Sequence, residues 1–133
     1  MASQSGRLDR RELCGAALRD RGGTLVVAGL GASSWDITAV GDCPENLPLR
    51  GGMGGAAMLG LGLALAQPGR KVLVITGDGE MLMGVGSLAT TAVQAPPNLA
   101  ILVLDNERYG ATGIELCPNL GDDGLRRAAY RGG

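Results

Sequence analysis

The chain has 133 residues, 45% of them apolar, so it can bury one sizeable core, and it predicts a single domain over residues 1–133. Twelve basic and thirteen acidic residues leave a formal net charge of −1, so no electrostatic attraction to nucleic acid or to an anionic membrane is expected. Aromatic residues make up only 2% of the chain, which removes the stacking surfaces that bind single-stranded nucleic acids.

Cysteine and histidine usage argues against a zinc site. The three cysteines lie far apart and histidine is absent, so zinc-like ligand spacing is missing. Free thiols are typical of a reducing compartment. The first twenty residues are charged, unlike a signal peptide, and the longest apolar stretch, residues 53–66, is shorter than the roughly 20 residues of a membrane span. These features predict a soluble, cytoplasmic protein.

The first third of the chain predicts two helices around a strand. Asp9 and Glu12 have the spacing of a capping box, and so do Ser33 and Asp36. In chain order the patterns predict a helix over 8–20, a strand over 24–28, a glycine turn over 29–33, a helix to about residue 40 and a loop over 41–48.

A glycine-rich helix is predicted over residues 53–66. It carries Gly54, Gly55, Gly60 and Gly62, and each interior glycine costs about 1 kcal/mol relative to alanine. Such a helix needs a tertiary reason to form. Two interpretations remain open: a tightly packed buried helix, or a helix whose glycine face also contacts a cofactor or another subunit.

Strand, glycine turn and helix recur in the second half. Residues 72–75 predict a strand that leads into Gly77-Asp78-Gly79, residues 80–95 predict one helix, and residues 99–104 predict the next strand. The core face of that helix is predicted to carry Leu82, Val85, Ala89, Ala92 and Val93. This alternation predicts an α/β fold with a doubly wound, mostly parallel sheet and helices on both faces. Residues 115–133 lack a hydrophobic strand, so the C-terminal part is expected to be shortened, with an atypical tail.

Two polar residues are predicted to meet at one edge of this sheet. Asp78 follows the strand over 72–75, and Asn106 follows the strand over 99–104. A right-handed βαβ unit brings the carboxyl ends of both strands to the edge where ligands of open α/β folds bind. A carboxylate and an amide oxygen suit Mg²⁺, which usually takes one or two protein ligands and others from phosphate.

Three motifs resemble one enzyme superfamily. They are the glycine cluster at 51–56, Gly77-Asp78-Gly79 with its following residues, and Asp105-Asn106 about 25 residues later. Their order and spacing resemble the diphosphate-binding domain of thiamine-diphosphate-dependent enzymes, and their neighbourhoods resemble the sulfopyruvate and phosphonopyruvate decarboxylase group. The resemblance covers about residues 24–114.

The resemblance implies a set of cofactor and metal contacts. Asp78, the Asn106 side chain and the Arg108 carbonyl would ligate Mg²⁺. Gly77 and Gly79 would allow the diphosphate to approach closely, and the N–H groups of Glu80 and Met81 would face its oxygens. Asp105 is expected to be only a solvated turn residue.

Further contacts are implied on the amino-terminal side of that motif. The Gly51 carbonyl would face the aminopyrimidine of the cofactor, and Met53 would wedge beneath the bent cofactor, although Met53 could equally fill a gap in the core. Gly31 and Ser33 follow a strand end, where they are expected to touch diphosphate oxygens. For Ser33 a plain helix N-cap is an equally good interpretation.

The resemblance also implies what the chain lacks. The family uses a glutamate on a separate pyrimidine-binding domain, for which 133 residues leave no room, so no residue here is expected to be catalytic. The expected function is the diphosphate-binding subunit of a decarboxylase (a carboxy-lyase) acting on a small 2-oxo acid, in a hetero- or homo-oligomer with a pyrimidine-binding partner. The alternatives are a non-catalytic remnant acting in assembly and a nucleotide-binding Rossmann-like domain.

Overall fold

The computed structural model describes residues 9–109 and the backbone of residues 115–116. The predicted atypical tail lies outside these residues except for that short strand. In chain order the elements are α1 (Arg10–Leu18), β1 (Leu25–Ala28), α2 (Ala32–Val40), β2 (Asn46–Pro48), α3 (Ala56–Ala66), β3 (Val72–Gly77), α4 (Asp78–Met83), α5 (Gly86–Gln94), β4 (Leu99–Leu104), β5 (Arg108–Tyr109) and β6 (Glu115–Leu116).

The central sheet has four strands in the order β2-β1-β3-β4, and β5 pairs with β6 separately. Every pairing in the central sheet is parallel. Val27 lies beside Val74, and Gly77 at the end of β3 lies beside Leu104 at the end of β4. All four strands therefore end at one edge, which we call the carboxyl edge.

Helices cover both faces of this sheet. Alternate side chains of β1 and β3 point to opposite faces, as strand geometry requires. Val26, Ala28 and Ile75 pack with Cys14, Leu18 and Ile37 of α1 and α2. Val27 and Val74 pack with Ala56 of α3 on the other face. The predicted doubly wound α/β fold is confirmed.

Helix α1 is fixed at its start by two aspartates. Asp9 Oδ1 accepts hydrogen bonds from the backbone N–H groups of Arg11 (2.8 Å) and Glu12 (3.1 Å), so the predicted cap at Asp9 is confirmed. Arg10 Nε lies 2.7 Å from Asp36 Oδ2 and Arg11 Nε lies 3.4 Å from Asp36 Oδ1. Asp36 is fully buried on α2. This carboxylate therefore holds α1 against α2.

Strand β2 was not expected, because it lies within residues predicted as a loop. Its three residues pair with β1. The Asn46 side chain accepts a hydrogen bond from Arg21 Nη1 at 2.6 Å and donates one to the Gly41 carbonyl at 3.0 Å. A three-residue strand is too short to show a period in sequence, and its pairing depends on these distant contacts.

The single helix predicted over residues 80–95 is wrong. The structure has α4, then a break at Gly84 and Val85, then α5. Gly84 lies against Gly54, so a Cβ at Gly84 would overlap the Gly54 carbonyl group. This backbone contact leaves no room for a side chain at Gly84.

The break also explains why the predicted core stripe fails. A helix interrupted after Met83 starts again with a different rotational phase, so spacing counted across the break does not mark one face. Val93 is 82% exposed and Val85 is 40% exposed, whereas Ser87 is buried. Of the expected stripe, only Leu82 and Ala92 are partly buried.

Helix α3 begins at Ala56, three residues later than predicted, and its glycines differ in role. At Gly60 a Cβ would overlap Val74 Cγ2 of β3, whereas a Cβ at Gly62 would meet nothing within 4 Å. Gly60 therefore allows α3 to lie close on the sheet. The interpretation of α3 as a closely packed helix is correct for the Gly60 face, while Met58 and Leu65 are 44% and 50% exposed.

A single asparagine closes the far end of α3. Asn98 Nδ2 donates to the carbonyl oxygens of Ala64 (3.0 Å), Gln67 (3.1 Å) and Arg70 (2.8 Å). These carbonyls belong to the last turn of α3 and to the turn that leads into β3. Within the described ranges no helix is long and apolar enough to cross a membrane.

Candidate functional site

Asp78 lies at the carboxyl edge because of the register of β3 and β4. Gly77, the N-cap of α4, has extended backbone (φ −87°, ψ 162°) and passes the chain directly from β3 into the helix. Since Gly77 pairs with Leu104, the residues that follow both strands emerge side by side. The Asp78 residue is only 3% exposed.

The segment after β4 is a pair of overlapping turns. Asp105 Oδ1 accepts from the Glu107 N–H at 2.9 Å, and Asn106 Oδ1 accepts from the Arg108 N–H at 3.0 Å. Glu107 has a positive φ of 58°, which these side chains support by hydrogen bonding their own backbone. Asn106 is exposed, and its amide oxygen has a second lone pair for a metal ion.

Tyr109 brings the turn after β4 against the turn after β3. A Cβ at Gly79 would overlap the Tyr109 ring, with ring atom Cδ1 at 2.7 Å. Gly79 is therefore required by an aromatic side chain of this chain itself, in addition to its predicted role in letting the diphosphate approach. The Tyr109 contact was missed from the sequence because nothing in local spacing links positions 79 and 109.

The first glycine turn, after β1, also lies at this edge. Gly31 is the N-cap of α2 with φ 76° and makes no side-chain cap. Ser33 is therefore inside the helix, where it is 3% exposed, and its interpretation as an N-cap is wrong. Ser34 Oγ instead donates to the Gly29 carbonyl at 2.8 Å.

Glu80 connects the two glycine turns through its side chain. Its Oε2 accepts from the Leu30 N–H at 2.7 Å and from Thr76 Oγ1 at 3.0 Å. Only the N–H of Glu80 was expected to matter. The sequence signal is weak: Thr76 and Glu80 are four residues apart, but Leu30 is fifty residues away.

The glycine cluster after β2 is the third segment at the carboxyl edge. The Leu49 N–H donates to the Ala28 carbonyl at 2.8 Å, which carries the pairing past β2 to the end of β1. Gly52 and Gly54 have φ of 71° and 88°, which disfavours any other residue there. Gly51 is exposed and Met53 is 39% exposed, so both are accessible to a ligand.

The structure thus brings segments carrying all the predicted contact residues to one edge. They are Gly31 and Ser33 after β1, Gly51 and Met53 after β2, Gly77, Asp78, Gly79, Glu80 and Met81 after β3, and Asn106 and Arg108 after β4. Met81 is 2% exposed, so its side chain belongs to the core. Helix α4 has only 6 residues, so its dipole at the site is weaker than that of the long helix expected.

The acidic side chains here cannot form a metal site by themselves. Within residues 9–109 no group of three or more His, Cys, Asp or Glu side chains is placed to hold a metal ion. An ion at Asp78 and Asn106 would need further oxygens from a bound ligand. That is the usual situation for Mg²⁺ bound with phosphate groups.

Residues 46–128 match the family model of the thiamine pyrophosphate enzymes, namely their C-terminal TPP binding domain. The match takes in the glycine cluster, both turns after β3 and β4, and more than half of the chain. The chain belongs to the thiamine pyrophosphate enzymes.

Three similar proteins are named as decarboxylases or as subunits of one. The chain is 45% identical over 91 residues to the sulfopyruvate decarboxylase subunit beta of Methanothermobacter thermautotrophicus, which covers 68% of this chain and 49% of that protein. It is 42% identical over 89 residues to the same subunit of Methanocaldococcus jannaschii, covering 67% and 47%. It is 47% identical over 88 residues to the phosphonopyruvate decarboxylase of Streptomyces viridochromogenes, covering 66% and 22%.

The chain spans about half the length of the sulfopyruvate decarboxylase β subunits that it matches. The residues present nevertheless suit the diphosphate end of the cofactor that names the family. The carboxyl edge carries side-chain oxygen atoms at Asp78 and Asn106, the donor type that Mg²⁺ prefers, and it has exposed glycine backbone at residues 51–52.

Proposed function

We propose that this chain binds the diphosphate of thiamine diphosphate together with Mg²⁺ at the carboxyl edge. The observation that carries this proposal is the pairing of Gly77 with Leu104, which sets Asp78 and Asn106 at adjacent strand ends. In the proposal the two side chains and the Arg108 carbonyl bind the metal ion. Diphosphate oxygens complete its coordination, since Mg²⁺ prefers six oxygens in octahedral geometry.

The other contacts divide between the two ends of the cofactor. Gly77 and Gly79 give the diphosphate close access to the backbone, and the N–H groups of Glu80 and Met81 donate to it. Gly31 and Ser33 contact it from the first turn. Gly51, through its carbonyl, and Met53, through its side chain, contact the aminopyrimidine part. Met53 suits this role because it is exposed rather than packed in the core.

We propose further that the chain is the diphosphate-binding subunit of a 2-oxo acid decarboxylase. When bound, thiamine diphosphate supplies the electron sink that loss of CO₂ from a 2-oxo acid requires. This chain supplies the metal ligands and holds the diphosphate in place. A partner chain of the pyrimidine-binding type supplies the remaining half of the site, and the complex acts in the cytoplasm on a small 2-oxo acid that carries an anionic group.

Two measurements test the proposal in order. Calorimetry on the purified chain should show binding of thiamine diphosphate with Mg²⁺, and no binding with excess EDTA or with ADP in place of the cofactor. ADP binding of equal strength would contradict the proposal and would favour the nucleotide-binding alternative. Without such a result, the family assignment argues against that alternative.

The decarboxylase assignment needs a coupled CO₂-release assay with pyruvate, sulfopyruvate and phosphonopyruvate. Activity is expected only when the chain is co-purified with a pyrimidine-binding partner. Robust activity of the isolated chain would contradict the subunit assignment. Cofactor binding without activity in any combination would favour a role in assembly.

The isolated chain is also expected to self-associate. Helix α3 has no polar side chain, and Met58 and Leu65 on it are exposed, whereas a helix that is apolar all round is normally buried. Sedimentation velocity at micromolar concentration should show oligomers. A well-behaved monomer would contradict this expectation.

A further inference from the structure

Glu80 occupies an unusual position for an acidic residue. It is only 5% exposed, yet none of the ion pairs found among the described residues involves it. Among the described residues, the hydrogen-bond donors to its Oε2 are both neutral: the Leu30 N–H and Thr76 Oγ1. Its Oε1 is buried and has no hydrogen-bond partner in the part of the chain that the structure describes. We call these three residues and their two hydrogen bonds the Glu80 bridge.

The chain around the Glu80 bridge is shaped to admit the carboxylate. A Cβ at Gly29 would overlap the Glu80 carboxylate, with its Cδ at 2.7 Å, and would lie 2.7 Å from Thr76 Oγ1. Gly29 does not have a positive φ. A glycine fits this position because a side chain would overlap its neighbours, and not because of the backbone conformation. Gly29, Thr76 and Glu80 therefore pack so closely that a side chain at position 29 would not fit.

The bridge connects the two turns that the cofactor proposal uses. Leu30 lies between Gly29 and Gly31 in the turn before Ser33, while Glu80 lies two residues after Asp78 in the first turns of α4. Helix α2 makes no side-chain cap at its start. The Leu30 hydrogen bond is thus a direct tie between the start of α2 and the segment that carries the metal ligand.

We propose that Glu80 is a positioning residue of the cofactor site, acting through the geometry of this bridge rather than through its charge. It fixes the turn after β1 at a set distance from the turn after β3, so that one diphosphate can be contacted from both. This inference rests on the proposed function. If the negative charge of Glu80 acted directly on the diphosphate, it would repel that anion.

Three substitutions separate geometry from charge. Glu80→Gln keeps the length and an acceptor oxygen but loses the charge. Glu80→Asp keeps the charge but is one methylene too short to reach Leu30. Glu80→Ala loses both. The matched control is Glu45→Asp, at the start of β2 on the opposite edge, where Glu45 lies 3.9 Å from Arg70.

The first readout is amide hydrogen exchange in the full chain without cofactor. The Leu30 amide should exchange at least about tenfold faster in Glu80→Asp and Glu80→Ala than in wild type, because its acceptor is lost. The Leu25 amide, which donates to the Lys71 carbonyl at 2.9 Å, serves as the internal control and should change little. Equal Leu30 protection in all variants would overturn the bridge itself.

The second readout is the dissociation constant of thiamine diphosphate at saturating Mg²⁺, measured on variants shown by circular dichroism to be folded. Glu80→Asp and Glu80→Ala should each bind about tenfold more weakly, a size typical of residues that orient ligands. Glu80→Gln should lie closer to wild type than Glu80→Asp does. The reverse order, with Glu80→Asp closer to wild type, would show that charge matters and would overturn the inference.

The outcomes distinguish the inference from the function on which it rests. Wild-type protein that fails to bind thiamine diphosphate overturns the proposed function and the inference with it. Wild-type protein that binds, together with Glu80→Asp and Glu80→Ala variants that bind equally well, overturns the inference alone. If Glu80→Ala does not fold, the order of Glu80→Gln and Glu80→Asp still decides.

Discussion

The molecule contains two strand–turn–helix units that have the same order of elements but different contacts at their turns. The first unit is β1, the turn Gly29-Leu30-Gly31 and α2; the second is β3, the turn Gly77-Asp78-Gly79 and α4. In the first, hydrogen bonds from Leu30 N–H to Glu80 and from Ser34 to Gly29 hold the turn. In the second, the turn contains Asp78, and Gly77 pairs with Leu104 at the end of β4, two residues before the exposed Asn106.

The two units place their aspartates in opposite situations. Asp36 in the first unit is buried between two arginines and joins two helices. Asp78 in the second lies at the carboxyl edge, next to the turn after β4. The same order of elements therefore carries a buried, ion-paired aspartate in one unit and the proposed metal ligand in the other. The following predictions test this division, beginning with the largest effect.

Substituting the two aspartates should affect different properties. Asp78→Ala should weaken Mg²⁺-dependent binding of thiamine diphosphate by about 100-fold or more, since loss of residues that merely orient a metal ligand already costs 10- to 100-fold. Its urea unfolding midpoint should stay near that of wild type. Asp36→Ala should lower the free energy of unfolding by about 2 kcal/mol, typical of hydrogen bonds to charged groups, and leave cofactor affinity unchanged.

Calorimetry and urea titration on both variants give the result. Unchanged cofactor affinity in Asp78→Ala would remove it from the site. The conservative variant Asp36→Asn should recover part of the lost stability, because its amide oxygen can still accept from one arginine.

The break after α4 predicts a contrast between two nearby glycines. Gly84→Ala should lower the free energy of unfolding by about 2 kcal/mol, a usual cost of overpacking, because its Cβ would overlap the backbone of Gly54. Gly86→Ala is the matched control: nothing lies within 4 Å of its Cβ, and alanine favours the helix by up to about 1 kcal/mol. Urea unfolding that shows equal stability for both would contradict the backbone contact.

The last glycine of β3 and the first glycine after β1 should also respond differently. Gly29→Ala should destabilise the fold by about 1–2 kcal/mol, because the methyl group would overlap the Glu80 carboxylate, whereas Gly77→Ala meets nothing within 4 Å and should fold normally. Thermal unfolding measures the difference. If Gly77→Ala also keeps full affinity for thiamine diphosphate, close approach of the diphosphate at Gly77 is excluded.

The smallest effect concerns Cys14, buried beneath the first unit. Burial raises the pKa of the Cys14 thiol above its ordinary value of 9.0, the negative charge of Asp36 raises it further, and Arg10 opposes the rise. The folded protein therefore holds this proton more tightly than the unfolded chain does. The resulting stability is complete below pH 9.0 and declines as the pH rises above it, at a slope of at most about 1.4 kcal/mol per pH unit.

Urea unfolding of wild type and Cys14→Ala between pH 7 and 10 measures this slope. The difference between the two should be constant at neutral pH and shrink above pH 9.0. Site-resolved alkylation at pH 8 should modify Cys43, which is partly exposed, well before the buried Cys14. Equal rates at the two cysteines would contradict the burial of Cys14.

Sequence patterns predicted the parts of the fold that depend on local order. The apolar runs at 72–75 and 99–104 predicted β3 and β4 because buried parallel strands read as continuous apolar segments. From the handedness of the βαβ unit, the adjacency of Asp78 and Asn106 at strand ends followed without any structure. The Asp9 cap was predicted because capping depends on residues only two and three positions apart.

Most of the failures involve contacts between distant residues. The contact of Gly54 with Gly84 breaks the predicted helix, and this break misplaces the expected core stripe, including Val93. The Leu30 N–H donates to the buried carboxylate of Glu80, whereas only the backbone N–H of Glu80 was expected to contribute. Local spacing carries no information about these contacts. The interpretation of Ser33 as a cap failed for a local reason: Ser33 is the second residue of α2, whose cap, Gly31, has a positive φ.

Three carbonyl groups accept hydrogen bonds from the Asn98 side chain, so this part of the structure is sensitive to deamidation of that residue. Hydrolysis of this side-chain amide to a carboxylate, the common chemical decay of asparagine, would replace a donor of hydrogen bonds by an acceptor. The new negative charge would then face the carbonyl oxygens of Ala64, Gln67 and Arg70. Deamidation at this position would therefore remove the hydrogen bonds that hold the end of α3 and those that hold the turn into β3 in a single event.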